Sequence, residues 1–91
     1  MIKKLNKMIK LNLKEHCVET AAKKALQEFM SEYLKNGDEE TGKKIEFLRE
    51  FLMTQDFRKI RAERPELSGG KDVDVLIIKE EKEFKIKLIK E

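Results

Sequence analysis

Lys71 to Glu91 reads KDVDVLIIKEEKEFKIKLIKE, and its register decides the fold. Val73, Val75 and Ile77 alternate with other residues, and Phe84, Ile86 and Leu88 alternate after them. A period of two marks a strand with one face on a core. Two such strands in close succession form a β-hairpin, whose directly opposed residues share a face. Pairing Val73 with Lys90, Val75 with Leu88, Ile77 with Ile86 and Lys79 with Phe84 gathers both apolar sets on one side. It leaves Glu80 to Glu83 as a four-residue loop, a common hairpin length. The other face carries Asp74, Leu76, Ile78, Lys85, Lys87 and Ile89. A solvated antiparallel face alternates cleanly to polar residues. Leu76, Ile78 and Ile89 therefore point to a second partner and form a candidate subunit interface. The last strand reads as a sheet edge, where Lys85, Lys87 and Lys90 discourage unwanted pairing.

Asp72 and Asp74 followed by Glu83-Phe84-Lys85 resemble, in order alone, the metal-binding motif of the PD-(D/E)xK nucleases. The hairpin register separates these carboxylates. Asp74 faces Ile89, and Glu83 lies about 20 Å further along at roughly 3.4 Å per residue. A shared metal needs its oxygen ligands at about 2–2.6 Å. Setting Asp74 opposite Glu83 would bury the turn inside Leu76-Ile77-Ile78-Lys79, within the most apolar stretch of the chain. The apolar pattern and the metal site exclude each other, and the hairpin is the stronger reading.

Upstream of the hairpin the period changes to that of helices. Residues 14–35 carry one apolar stripe: Cys17/Val18, Ala21/Ala22, Ala25/Leu26, Phe29/Met30 and Tyr33/Leu34. Asn36-Gly37 stops this helix, since glycine takes the left-handed C′ conformation freely. A second helix is expected over 39–54, with Asp38 as its cap and Glu39 and Glu40 at the positive end of its dipole. Ile45, Phe47, Leu48, Phe51, Leu52 and Met53 give it an apolar face wide enough for both a helix and a sheet. Gly42 weakens its first turn by about 1 kcal/mol relative to alanine. Residues 55–64 form a third, shorter helix anchored by Phe57 and Ile60, and Pro65 ends it. Pro65 to Lys71 reads as a loop.

Residues 1–14 fit two patterns. Ile2, Leu5 and Met8/Ile9 recur at helical spacing, whereas Ile9, Leu11 and Leu13 alternate as in a strand. A short helical start followed by a short strand satisfies both. The competing reading is one helix from residue 2 to 35.

The whole is one α+β domain spanning 1–91: a lysine-rich segment (1–14), a helical region (14–64) and a β-hairpin (72–90). An antiparallel helical hairpin and a short third helix pack on a small antiparallel sheet. With 91 residues, such a domain buries only about 60–65% of its unfolded surface. A small core and an apolar outer sheet face together lead us to expect a homodimer.

Charge and composition narrow the function classes. The chain is 43% charged, yet its 40% hydrophobic content is too high and too regular for a disordered chain. Abundant lysine and glutamate with few glutamines and one cysteine resemble proteins from hot habitats. The net charge of +3 is too small to argue for nucleic acid by itself. Residues 1–14 hold five lysines and no acid, and residues 41–64 hold seven basic and four acidic groups. The lone Cys17 excludes an intrachain disulfide and fits a reducing compartment. No apolar run of transmembrane or signal-peptide length occurs. A soluble, cytoplasmic protein is expected.

The candidate sites are few. His16 and Cys17 are adjacent, so on a helix they point about 100° apart and make a poor dyad. They also cannot supply the three or four ligands of a zinc site. Ser68 to Lys71, SGGK, lacks the rest of a phosphate loop. Arg58, Lys59, Arg61 and Arg64 form a basic run on the third helix, suited in principle to phosphate. Their ordinary role is a solvated face paired to neighbouring glutamates. Lys3, Lys4, Lys7, Lys10 and Lys14 could touch nucleic acid or an anionic membrane, but no Trp or Phe lies among them to anchor in a bilayer. No nucleophile, base and orienting group stand together. The expectation is a non-enzymatic, self-associating protein–protein module without cofactor or metal, with a nucleic-acid binder as the alternative.

Overall fold

The computed structural model describes residues 7–89. Strand β1 (Lys7–Asn12) is followed by helices α1 (Val18–Asn36), α2 (Glu39–Thr54) and α3 (Phe57–Glu63). A 3-10 turn (Pro65–Ser68) leads into strands β2 (Asp74–Glu80) and β3 (Glu83–Ile89). The three strands form one antiparallel sheet in the order β1-β2-β3. The fold class is α+β. Ile2, Lys3, Lys4, Leu5 and Lys90 lie outside the described residues.

The hairpin adopts the register that its alternation demands: Val75 faces Leu88, Ile77 faces Ile86 and Lys79 faces Phe84. The ladder runs one pair further than expected. Glu80 pairs with Glu83, so the turn holds only Glu81 and Lys82 rather than four residues. Such a tight turn needs a positive φ, and Glu81 supplies it at 57°. Two glutamates directly opposed at the ladder's end are mutually repulsive.

β1 settles the ambiguity over residues 7–12, which form a strand and not part of one long helix. Ile9 pairs with Ile77 and Leu11 with Val75, so β2 is flanked on both sides. Its partners explain why α1 begins at Val18 and not at residue 14. The Leu13 N–H donates to the Val73 carbonyl at 2.9 Å, and the Leu13 carbonyl accepts from the Gly70 N–H at 3.1 Å. The Leu13 backbone is thereby committed to the sheet and cannot start a helix. Asn12 Oδ1 accepts from the Lys14 N–H at 2.9 Å and begins the bend into α1.

The loop before β2 is pressed against this bend. A Cβ at Gly69 would lie 2.7 Å from the His16 carbonyl carbon, and φ there is +94°. No other residue fits. The glycine pair in SGGK therefore has a structural task. The turn ahead of it is not a plain loop either, because Leu67 is fully buried.

The core lies between the inner sheet face and the helices. Leu13, Val18, Ala22, Leu48, Phe51, Leu67, Val75 and Ile77 are all sealed from solvent. Phe47 and Phe51 of α2 meet Phe84 of β3 edge to face at 5.3 and 5.4 Å, and Phe57 of α3 joins Phe51 at 5.4 Å. α2 thus packs on both a helix and a sheet, as its wide apolar face requires. Gly37 ends α1 at φ 61°, its N–H donating to the Tyr33 carbonyl at 2.7 Å. Asp38 occupies the cap position of α2, but its carboxylate accepts from the Thr41 hydroxyl rather than from a backbone N–H. Asp56 caps α3 by accepting from the Lys59 N–H at 3.2 Å.

Cys17 sits at the cap of α1, partly exposed, instead of being buried on the apolar stripe. Burial pushes its thiol pKa up. The hydrogen bond with the Thr20 hydroxyl at 3.5 Å, the nearby backbone of Thr20 and Glu19, and the Arg61 charge outweigh this. The net result is a pKa below the ordinary thiol value, although no backbone N–H closes a capping bond to the sulfur.

Three outcomes follow from this packing. Leu67→Ala should lower the unfolding free energy by about 2–5 kcal/mol in urea titrations, as for a sealed leucine. Glu81→Gly should raise it by about 0.5–1 kcal/mol, since glycine adopts positive φ without strain. Iodoacetamide should alkylate Cys17 with a pH midpoint lower in the folded than in the urea-unfolded chain, and Thr20→Val should move that midpoint up. The thiolate's contribution to stability is then present above the unfolded thiol pKa and lost as pH falls through the folded one.

Candidate functional site

The outer face of the sheet is the first candidate. Alternation along three paired strands places Met8, Leu76, Ile78 and Ile89 on it, opposite to the core residues of the same strands. Leu76 lies between Lys10 and Lys87, and Ile78 between Met8 and Lys85. Met8 is 49% exposed. Leu76, Ile78 and Ile89 are half-buried by their strand neighbours and take no part in the core cluster. The three residues expected to share a face do so, and β1 adds Met8 to them. Asp74 holds Lys10 at 3.7 Å and Glu80 holds Lys85 at 3.1 Å. Lys87 makes no ion pair among the described residues.

The expected basic cluster divides into two parts. Arg61 lies 3.4 Å from Glu19 of α1. Arg64 Nη1 donates to the Ile86 carbonyl at 2.7 Å, and its Nε lies 3.6 Å from Glu66. With Glu80 and Glu83 flanking a two-residue turn, the backbone of Ile86 points to the free edge of β3. Arg64 therefore covers that edge. Arg58 and Lys59 are exposed, with no ion pair among the described residues. The helix that carries the cluster spends its two C-terminal arginines on the protein's own acidic and carbonyl groups.

A third surface escaped the sequence reading, because its residues continue the apolar stripe of α1. The stripe outruns the core. Val18, Ala21 and Ala22 are buried and Phe29 is partly so, but Met30 is 47% exposed and Leu34 is 86% exposed. The far ends of α1 and α2 project together as a helical tip. Between them a groove of about 580 Å³ is lined by Met30, Tyr33, Leu34 and Ile45. Glu39, Lys43 and Glu46 border it. Gly42 has its reason here: a Cβ on it would meet the Tyr33 ring at 3.1 Å. The available signal was length. A helix of 19 residues spans about 28 Å at about 1.5 Å per residue. Strands of seven residues cover less than that.

The Asp–Glu–Lys order of the hairpin makes no metal site. Asp74 is opposite Ile89, and Glu83 is opposite Glu80 at the other end of the ladder. Asp72 and Asp74 instead accept hydrogen bonds from Asn12 Nδ2, each at 2.8 Å. Among the described residues no three His, Cys, Asp or Glu side chains gather closely enough to hold a metal ion. No described helix is long and apolar enough to cross a membrane.

Similarity to other proteins agrees with the extent of this fold. The chain is 36% identical over 83 residues to an uncharacterized protein of Archaeoglobus fulgidus, covering 87% of this chain and 95% of that relative. No solved structure matches it. Residues 8–87 match an uncharacterised protein family. That span runs from β1 into β3 and takes in every helix, so the chain belongs to this family.

Proposed function

We propose that this protein is a small non-enzymatic interaction module that associates with copies of itself. The observation that carries the reading is the outer sheet face. Met8, Leu76, Ile78 and Ile89 form an apolar centre on a surface that no described helix covers. Contiguous apolar surface of this kind, rimmed by charge, is what interaction sites present. The modest core of so short a chain gives association a further benefit in stability. A cytoplasmic setting and a homodimer fit this reading. A nucleic-acid role through Arg58, Lys59, Arg61 and Arg64 has less support, since Arg61 and Arg64 already have partners within the fold.

Sedimentation velocity across the micromolar to millimolar range tests the proposal. The wild-type chain should sediment faster than a monomer as concentration rises. Ile78→Glu, which sets a charge in the apolar centre, should weaken association at least tenfold. A wild-type chain that stays monomeric throughout the range would end the proposal.

A further inference from the structure

We propose that Arg64 is an edge guard: its side chain keeps the outer edge of β3 closed to strand addition by another copy of the chain. The guard acts at the edge of the sheet and is independent of any contact made through the outer face.

The ladder determines which backbone groups are left over. The Leu13 N–H donates to the Val73 carbonyl, so the pairs that exchange hydrogen bonds between β1 and β2 are Leu11–Val75, Ile9–Ile77 and Lys7–Lys79. The backbone groups of Leu76, Ile78 and Glu80 then turn to β3, where they meet Lys87, Lys85 and Glu83. Phe84, Ile86 and Leu88 alternate with these, so their N–H and C=O groups point away from the sheet. Such a row is a template for a further strand. By the same alternation Met8, Lys10 and Asn12 turn their backbone groups outward at the edge of β1. A copy that laid its β1 edge on this β3 edge would repeat the contact without closing, and filaments would grow.

Ile86 is the middle residue of the row, and Arg64 meets it. The Nη1 bond to the Ile86 carbonyl, at 2.7 Å, takes an acceptor that an added strand would need, and the side chain fills the space beside it. A bond from a charged donor is stronger than one from a neutral N–H, so an incoming strand displaces it at a loss. The backbone of Arg64 is fixed on both sides. Its N–H donates to the Ile60 carbonyl at 2.8 Å and closes α3, and its carbonyl accepts from the Leu67 N–H at 3.0 Å. Leu67 is fully buried, and the ring of Pro65 fixes φ between them. Lys85 and Lys87 also lie on β3, but their side chains stand on the outer face and leave the edge backbone open. The guard at the edge itself is Arg64.

Amide hydrogen exchange read residue by residue by NMR, with sedimentation velocity on the same samples, tests the guard. In the wild-type chain the Phe84, Ile86 and Leu88 amides have no ladder partner and should exchange fast. Arg64→Ala should associate beyond the wild type at equal concentration, and in that associated state exchange at the three amides should slow by about tenfold or more. Association through the outer face leaves these amides fast, so the two contacts are told apart. Arg61→Ala removes the same charge from the same helix but spares the Ile86 bond, and it should behave as the wild type. Circular dichroism establishes that the variants are folded; Arg64→Met, which keeps the apolar stem and removes the donors, replaces Arg64→Ala if that variant is not. A lower urea midpoint without added association would make Arg64 a structural residue only and overturn the proposal. Association that leaves the three amides fast, or equal association of Arg61→Ala, would overturn it as well. So would a failure of both Arg64 variants to fold, since the role would then not be confined to the edge.

Discussion

The pairing of β1 with β2 is the constraint on which the rest of the structure depends. Lys7–Asn12 lies against Asp74–Glu80, and the Leu13–Val73 hydrogen bond extends the ladder past the strand's end. This pairing makes β2 a central strand. Once its backbone is bonded on both sides, its two faces acquire separate fates. Val75 and Ile77 turn to the helices, while Leu76 and Ile78 turn away. A slip of one residue would exchange those sets. The same pairing brings residues 13–17 under Gly69, and with them the start of α1. The helices therefore inherit their position from the sheet through a bend that only a glycine opposite can admit.

The parts of the fold governed by local pattern were legible in the sequence. The hairpin register follows from two alternating runs of the same phase, and α2 begins and ends where its acidic first turn and apolar spacing place it. What could not be read depends on contacts distant along the chain. Leu67 looks like a loop residue because nothing near it is periodic, yet the close approach of Gly69 to His16 folds its turn into the core. The sequence extends α1 back to residue 14 because Lys14 and Glu15 are good helix formers and Cys17 opens the apolar stripe, and the demand of Val73 on the Leu13 backbone overrides both. The tight turn at Glu81 is not legible in the sequence because glutamate does not signal a positive φ.

The candidate surfaces divide in the same way. Leu76, Ile78 and Ile89 were identified as one set from strand alternation, and β1 adds Met8 from the far end of the chain. The basic run on α3 looked uniform in sequence. Its position beside the acidic start of α1 and the free edge of β3 splits it into two arginines with partners and an exposed Arg58–Lys59 pair. Periodicity reports which side chains share a helix face, but not how far along the helix the core extends. Met30 and Leu34 belong to the stripe that begins at Val18, and they lie beyond its burial.

The sheet joins β1 to strands that follow all the described helices, and this has a consequence for synthesis. Asn12 and Asp74 are 62 residues apart. On a ribosome β1 emerges long before its partner, and α1 and α2 can pair while β2 is still being made. Val18 and Ala22 then wait for a core that only the C-terminal hairpin completes. A polypeptide released before β3 is finished would hold Val75-Leu76-Ile77-Ile78 as an open, apolar edge, a template for joining other chains. The seven residues of β3 thus stand between an ordered domain and an aggregating one.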